Sequence, residues 1–241
     1  MTLTLDAFNQ IHAGKPACIL GSGPSILSVD LSLLKHFVTF AVNGSILAYP
    51  QSDYFVSDDS DCVNWSYFSH ELRESKAKAL LYEDKFESIK NIFGKRTVYF
   101  RHRTGYNVTD KYEHENPPNR ILQCRTSIGS AMHIAHIMGC KPLILVGIDC
   151  ARLSGKRWFW EFPPYQRPKR LDGRVPDKYR RFRDSDVDLV EILDYWQAQG
   201  TEFLKKTVVY NASPLSRVRV FQKIALKQFV SGEACTKTSS S

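Results

Sequence analysis

The chain has no long hydrophobic run. A bilayer span needs about 20 consecutive apolar residues, and the longest clean stretch is only Leu143 to Ile148. The first residues, Met1 to Asp6, offer neither a basic start nor an apolar core, so a secretory leader is not expected. Cysteine is sparse and scattered: Cys18, Cys62, Cys124, Cys140, Cys150 and Cys235 include no pair spaced for a zinc ribbon. Free thiols in a cytoplasmic protein are the expectation. Histidine is missing after His136, which limits the general bases available to the second half. Hydrophobic residues make up 43% and aromatics 12% of the 241, enough for a sizeable core and too much for disorder. One α/β domain over 1–234 is expected, with an insertion at 151–183 and a flexible polar tail at 235–241.

Acidic residues are scarce in one place. Between Ala151 and Arg183 stand eleven basic residues against Glu161, Asp172 and Asp177, a surplus equal to the +8 formal charge of the whole chain. Trp158, Phe159, Trp160, Phe162, Tyr165, Tyr179 and Phe182 are interleaved with them. A neutral body carrying one cationic, aromatic flap suits an anionic partner: a nucleotide, a sugar phosphate or a nucleic acid.

Short apolar runs alternate with amphipathic segments. Strands are predicted at Ala17–Leu20, Val38–Val42, Tyr54–Val56, Ala79–Tyr82, Thr97–Phe100, Leu143–Gly147 and Val208–Tyr210. Most are apolar throughout, as in strands covered on both faces of a parallel sheet. Helices are predicted at Val29–His36, Asn64–Lys76, Lys85–Ile92, Ser127–Met138, Asp186–Gln199 and Leu215–Val230. The alternation predicts a Rossmann-like open, mostly parallel sheet with helices on both faces and a basic aromatic lid insertion.

Ligands of such sheets bind beyond the carboxyl ends of the strands. The predicted strands there run into small polar residues: Gly21-Ser22-Gly23-Pro24-Ser25, then Asn43-Gly44-Ser45, then Ser57-Asp58-Asp59-Ser60-Asp61, then Asp149, then Asn211-Ala212-Ser213. The glycine turn lets backbone N–H groups approach a phosphate, and Pro24 suits the first turn of a helix. It matches neither the Walker nor the dinucleotide pattern. One or two of Asp58, Asp59 and Asp61 suit Mg²⁺ or Mn²⁺; equally, Ser60 or Asp61 suits the N-cap of the Asn64 helix. His133 and His136 share a helix face but have no third zinc ligand, which favours a packing role.

Gly21–Ser25, Asn43, Asp58 and the Thr126-Ser127 pair leading to Gly147-Ile148-Asp149 together resemble the family 42 bacterial sialyltransferases. They are similar also to the glycosyltransferase-like domain of motility accessory factors and, more distantly, to the 6-hydroxymethylpterin diphosphokinase family. The resemblance implies a CMP-sugar site: Gly21, Ser22, Gly23, Pro24 and Ser25 near the nucleotide phosphate, Asn43 and Asp58 on the donor, Thr126 and Ser127 near phosphate and sugar, Asp149 at the nucleoside side. Residues 151–183 would form the lid. The sequence departs from that family in having no histidine after the lid; Arg181 stands near the matching place and does not deprotonate. Two lid tyrosines are also replaced, with Arg157 able to bind a phosphate in their stead. Asp58, Asp184 and Asp186 are the candidate bases.

Three functions follow. The first is sugar transfer from a nucleotide donor to a glycan or small acceptor, with no cofactor. The second is Mg²⁺-dependent pyrophosphoryl transfer, as in the pterin relatives, with Asp58, Asp59 and Asp61 on the metal. The third is non-catalytic binding of a nucleotide or nucleic acid, with aromatic rings stacking on bases.

Overall fold

The computed structural model describes residues 3–86, 93–102, 120–121, 126–174, 185–199 and 201–232. Arg181, Asp184, most of the expected Lys85–Ile92 helix, the last part of the insertion and the 235–241 tail lie outside these.

The central strands are β2 (Ala17–Leu20), β3 (Val38–Val42), β4 (Tyr54–Ser57), β5 (Lys78–Tyr82), β6 (Thr97–His102), β8 (Leu143–Val146) and β9 (Val209–Asn211). Short strands β1 (Leu3–Thr4), β7 (Arg120–Ile121) and β10 (Gln222–Lys223) extend the edges. The order is β1-β6-β5-β4-β3-β2-β8-β9-β10, with β7 beside β6, and every pairing is parallel. The order reverses beside β2: β3 to β6 build outward on one side, β8 to β10 on the other.

The continuous apolar strands are buried on both faces, as their composition requires. Ala17 and Ile19 of β2, with Leu143 and Leu145 of β8, face one core that contains α4 (Ser127–Ile137), α5 (Ser185–Gln199) and α6 (Glu202–Lys206). Cys18, Leu20, Ile144 and Val146 face the other, with Ile26, Leu34, Phe159 and Leu226. A third cluster under β4 to β6 joins Phe55, Leu81 and Tyr99 to Phe68, Leu72 and Phe86, the last from the short helix α3 (Glu83–Phe86). Each fully buried Leu, Ile or Phe contributes about 1.5–3 kcal/mol. Helix α4 is buried almost all round, capped by Thr126, whose Oγ1 accepts from the Gly129 N–H at 3.3 Å. His133 is buried, and both His133 and His136 pack against Phe203.

Three predicted helices differ. Leu31–His36 is a 3₁₀ helix capped by Asp30 rather than an α-helix. Asn64–Lys76 starts late, after Trp65, which a bridge to Arg170 holds extended, and divides at His70 into α1 (Ser66–Ser69) and α2 (Glu71–Glu74). Of Leu215–Val230 only α7 (Leu226–Val230) is α-helical; Ser216 and Arg217 are tied to the turn after β8, Val218 N donates to Ser216 Oγ, and β10 follows. Cys18, Cys62 and Cys140 are free thiols, and these three and Cys150 are buried. Burial pushes the Cys140 thiol up to about 12 and the Cys18 and Cys62 thiols upward too, so these three are packing residues and not nucleophiles. Among the described residues no helix is long and apolar enough to cross a membrane.

Candidate functional site

The sheet reverses order between β2 and β8, and the two strand-end turns lie against each other there. Gly21 N donates to Val146 O at 2.8 Å and Gly23 N to Gly147 O at 2.7 Å. A Cβ on Gly21 would stand 2.6 Å from Gly147 O, and one on Gly23 would stand 2.5 Å from Asp149 Oδ2. Gly147 itself has φ +67°, a left-handed conformation that favours glycine. The glycines therefore permit turn-to-turn contact. Asp149, 2% exposed, accepts the Ser25 N–H at 2.7 Å and the Ser25 hydroxyl. The amides of Gly21, Gly23 and Ser25 are thus committed inside the protein, and Pro24 opens a five-residue 3₁₀ helix. Ser22 contributes its carbonyl to the Phe159 N–H at 3.0 Å.

After β3, Asn43 sits at φ +50°, and its Oδ1 is enclosed with no hydrogen-bond partner among the described residues. Ser45 locks the turn, accepting from Val42 N and donating to Leu20 O, each at 2.7 Å. A Cβ on Gly44 would stand 2.7 Å from the Trp160 ring, so this glycine makes room for the tryptophan.

After β4 the three acids part company. Asp58 is buried at the N-terminus of α4: its N–H donates to Ser127 Oγ at 3.0 Å, and Ser130 Oγ donates to its Oδ2 at 2.5 Å. Asp59 caps the following turn through the Asp61 N–H at 3.0 Å. Asp61 receives both terminal nitrogens of Arg170 at 2.7 and 2.9 Å. No cluster of three metal-ligating side chains occurs among the described residues. The Asp58, Asp59 and Asp61 set does not fit a shared divalent cation, because its members bind three different groups.

Residues 151–174 cross the strand ends. Phe159 is fully buried beneath them, Trp160 rests on Gly44, and Trp158 stacks on Trp160 at 5.3 Å. The Arg157 guanidinium lies 4.6 Å from the Trp158 ring. At the far end Ser66 N donates to Lys169 O at 2.8 Å, and Leu171 N donates to Asn64 O at 2.7 Å. Arg170 binds Asp61 and Asp172 and covers Trp65. This arrangement holds the Asp61 carboxyl below the usual carboxylate range, chiefly by the Arg170 hydrogen bonds.

Of the sequence candidates, Gly21 to Ser25 meet Asp149, and Asp58 meets Ser127. The β3–β4 register, Val42 opposite Val56, sets Asn43 beside the residues leading into Asp58. Asp186 belongs to α5, without a described side chain, and Asp184 lies outside the described residues. Sequence reasoning missed Ser130 and Ser216, and named Trp160 only as one ring of the flap, without its place on Gly44. Ser216 Oγ donates to Ile148 O at 2.6 Å and Ser213 Oγ accepts from Ile148 N at 2.9 Å, bracing the turn that carries Asp149. Gly44 was the legible hint of a large neighbour, but glycine does not say which residue fills its space.

Parallel strand order and polar strand ends define a Rossmann-like α/β protein. The MAf glycosyltransferase from Magnetospirillum magneticum AMB-1 matches with a TM-score of 0.51 and 13% identity over 93% of this chain. This chain spans only 38% of that protein. The sialyltransferase CstII from Campylobacter jejuni, solved with cytidine-5'-monophosphate, matches with a TM-score of 0.51 and 17% identity, covering 88% of this chain and 86% of CstII. A search of curated proteins gave no match. The family model described as 6-hydroxymethylpterin diphosphokinase MptE-like matches residues 2–155, and the chain belongs to that family.

Proposed function

We propose that the chain transfers a sugar from a CMP-type nucleotide donor to a glycan or small acceptor. One observation carries this reading: the ends of β2, β3, β4 and β8 and the N-terminus of α4 gather on one edge of the sheet, under an aromatic and cationic segment. The N-terminus of an eleven-residue helix favours negative charge, which suits a donor phosphate near Thr126 and Ser127. Asn43 offers its unengaged Oδ1 to the donor. Arg157 stabilises the phosphate as it departs.

In the transfer, the acceptor oxygen forms a bond to the anomeric carbon. The bond from that carbon to the CMP phosphate oxygen breaks, and its electron pair leaves with the phosphate. The acceptor proton passes to a carboxylate, for which Asp58 is the described candidate. Similarity to a CMP-bound sialyltransferase across most of the chain supports the choice of nucleotide.

The test is a thermal-shift series with CMP, UDP, GDP and ATP, followed by CMP release from CMP-sugars. Selective stabilisation by CMP is expected; no shift with any nucleotide at millimolar concentration overturns the reading. The family match favours a second one, diphosphoryl transfer from a nucleoside triphosphate. Stabilisation by ATP alone, dependent on Mg²⁺, would select it.

A further inference from the structure

The cations of the 151–174 segment are unequally used. Arg170 holds Asp61 and Asp172, and Arg174 lies 3.7 Å from the same Asp172. Glu161 is taken by the backbone N–H groups of Arg157 and Trp158 at 2.7 and 2.8 Å. Arg152, Arg167 and Lys169 are exposed and Lys156 is half-buried, and none of the four has an ion pair among the described residues.

The rings of the segment are engaged differently. Trp158 carries the Arg157 guanidinium and stacks on Trp160, which closes on Gly44. Phe162 takes the Lys156 ammonium 4.4 Å from its centroid, and Tyr165 meets buried Phe159 edge-on. A single-stranded nucleic acid is gripped by stacking bases on open aromatic faces as well as by charge. This surface has the charge, while its rings are occupied by protein groups.

We infer that the acceptor of the proposed transfer is itself anionic: a negatively charged glycan held by Arg152, Lys156, Arg167 and Lys169. This inference rests on the glycosyl-transfer reading. The segment that carries these cations runs from Ser22 and Gly44 to Ser66, across the sheet edge on which the proposed donor site lies. Charge draws such an acceptor to the rim and orients it, as rim charges at interfaces do.

The experiment measures binding of a short oligosialic acid, a neutral maltooligosaccharide and an oligothymidylate of similar length. It uses the intact chain, a variant with Arg152→Gln, Lys156→Gln, Arg167→Gln and Lys169→Gln, and a control with Lys35→Gln, Lys95→Gln, Lys205→Gln and Lys227→Gln, which removes as much exposed charge elsewhere. The expected result is preference for the sialic acid oligomer, at least about tenfold weaker binding in the rim variant and a change under about twofold in the control. Equal losses in both variants, no preference over the neutral sugar, or tighter binding of the oligothymidylate overturns the inference. A CMP thermal shift on the same samples separates the two readings. If CMP fails to bind while the rim effect persists, the donor assignment falls and the anionic-glycan surface stands. If CMP binds and the rim effect is absent, the reverse holds.

Discussion

Arg170 and Asp61 meet through two parallel hydrogen bonds of 2.7 and 2.9 Å, although 109 residues separate them. The same guanidinium binds Asp172 and lies over Trp65. One arginine therefore joins the basic segment to the chain leaving β4, and the local consequence is visible: Trp65 stays extended and the expected helix starts only at Ser66.

This junction depends on pH. Arg170 holds the Asp172 carboxyl at about 2 and lowers that of Asp61. Both folded values lie below the unfolded ones, so the contribution is present above about pH 4 and is lost as pH falls through the folded values. Carboxyl-carbon NMR of Asp172 checks it: the midpoint near 2 in the native chain is expected to rise toward the usual carboxylate range in Arg170→Ala. An unmoved midpoint would show that Arg170 is not the cause.

Asp149 and Ser25 hold the β2 and β8 turns together. Asp149→Asn leaves the buried Ser25 N–H and hydroxyl poorly matched and is expected to cost about 1.5–3 kcal/mol, while Ser25→Ala costs about 1 kcal/mol. Urea unfolding measures both. A larger loss for Ser25→Ala than for Asp149→Asn would contradict the assigned roles.

Gly44 and Trp160 compete for the same space. Gly44→Ala is expected to cost about 1–3 kcal/mol through overpacking and to shift tryptophan emission. Combined with Trp160→Ala, most of the alanine penalty disappears, giving a coupling above about 0.5 kcal/mol in a double-mutant cycle. Additive losses would place the tryptophan elsewhere.

Asn43 tests the donor crevice without disturbing its backbone, since Asn43→Gly keeps the left-handed conformation and removes only the amide. CMP affinity is expected to fall about tenfold, the worth of one lost hydrogen bond of about 1.4 kcal/mol. Calorimetry showing unchanged affinity would remove Asn43 from the site.

The acid run should be indifferent to metal. Asp58, Asp59 and Asp61 bind Ser130, a turn amide and Arg170 respectively. Mg²⁺ or EDTA is therefore expected to leave the melting temperature of the nucleotide-free chain unchanged. A stabilisation by Mg²⁺ that is lost in Asp58→Asn would show that these carboxylates regroup around an ion.

The strands were legible because continuous apolar runs have one stable home, a sheet covered on both sides. The turns after β2 and β3 were legible because Gly21 and Asn43 sit where the chain must bend sharply; Gly147, read as the end of a strand, is itself a bend. Helix boundaries were less so: Asn64–Lys76 and Leu215–Val230 have helical composition, but contacts from Arg170 and from the Ile148 turn impose extended backbone on parts of both.

The amino-acid order by itself determined the sheet, its parallel sense and the polar row at the strand ends, since these follow from hydrophobic period and turn chemistry within a few neighbouring residues. Only the tertiary structure decided what each polar group binds. A carboxylate such as Asp61 suits a cation, an N-cap or an arginine equally well in sequence; which it takes depends on the partner that packing brings within hydrogen-bond reach, here from more than a hundred residues away.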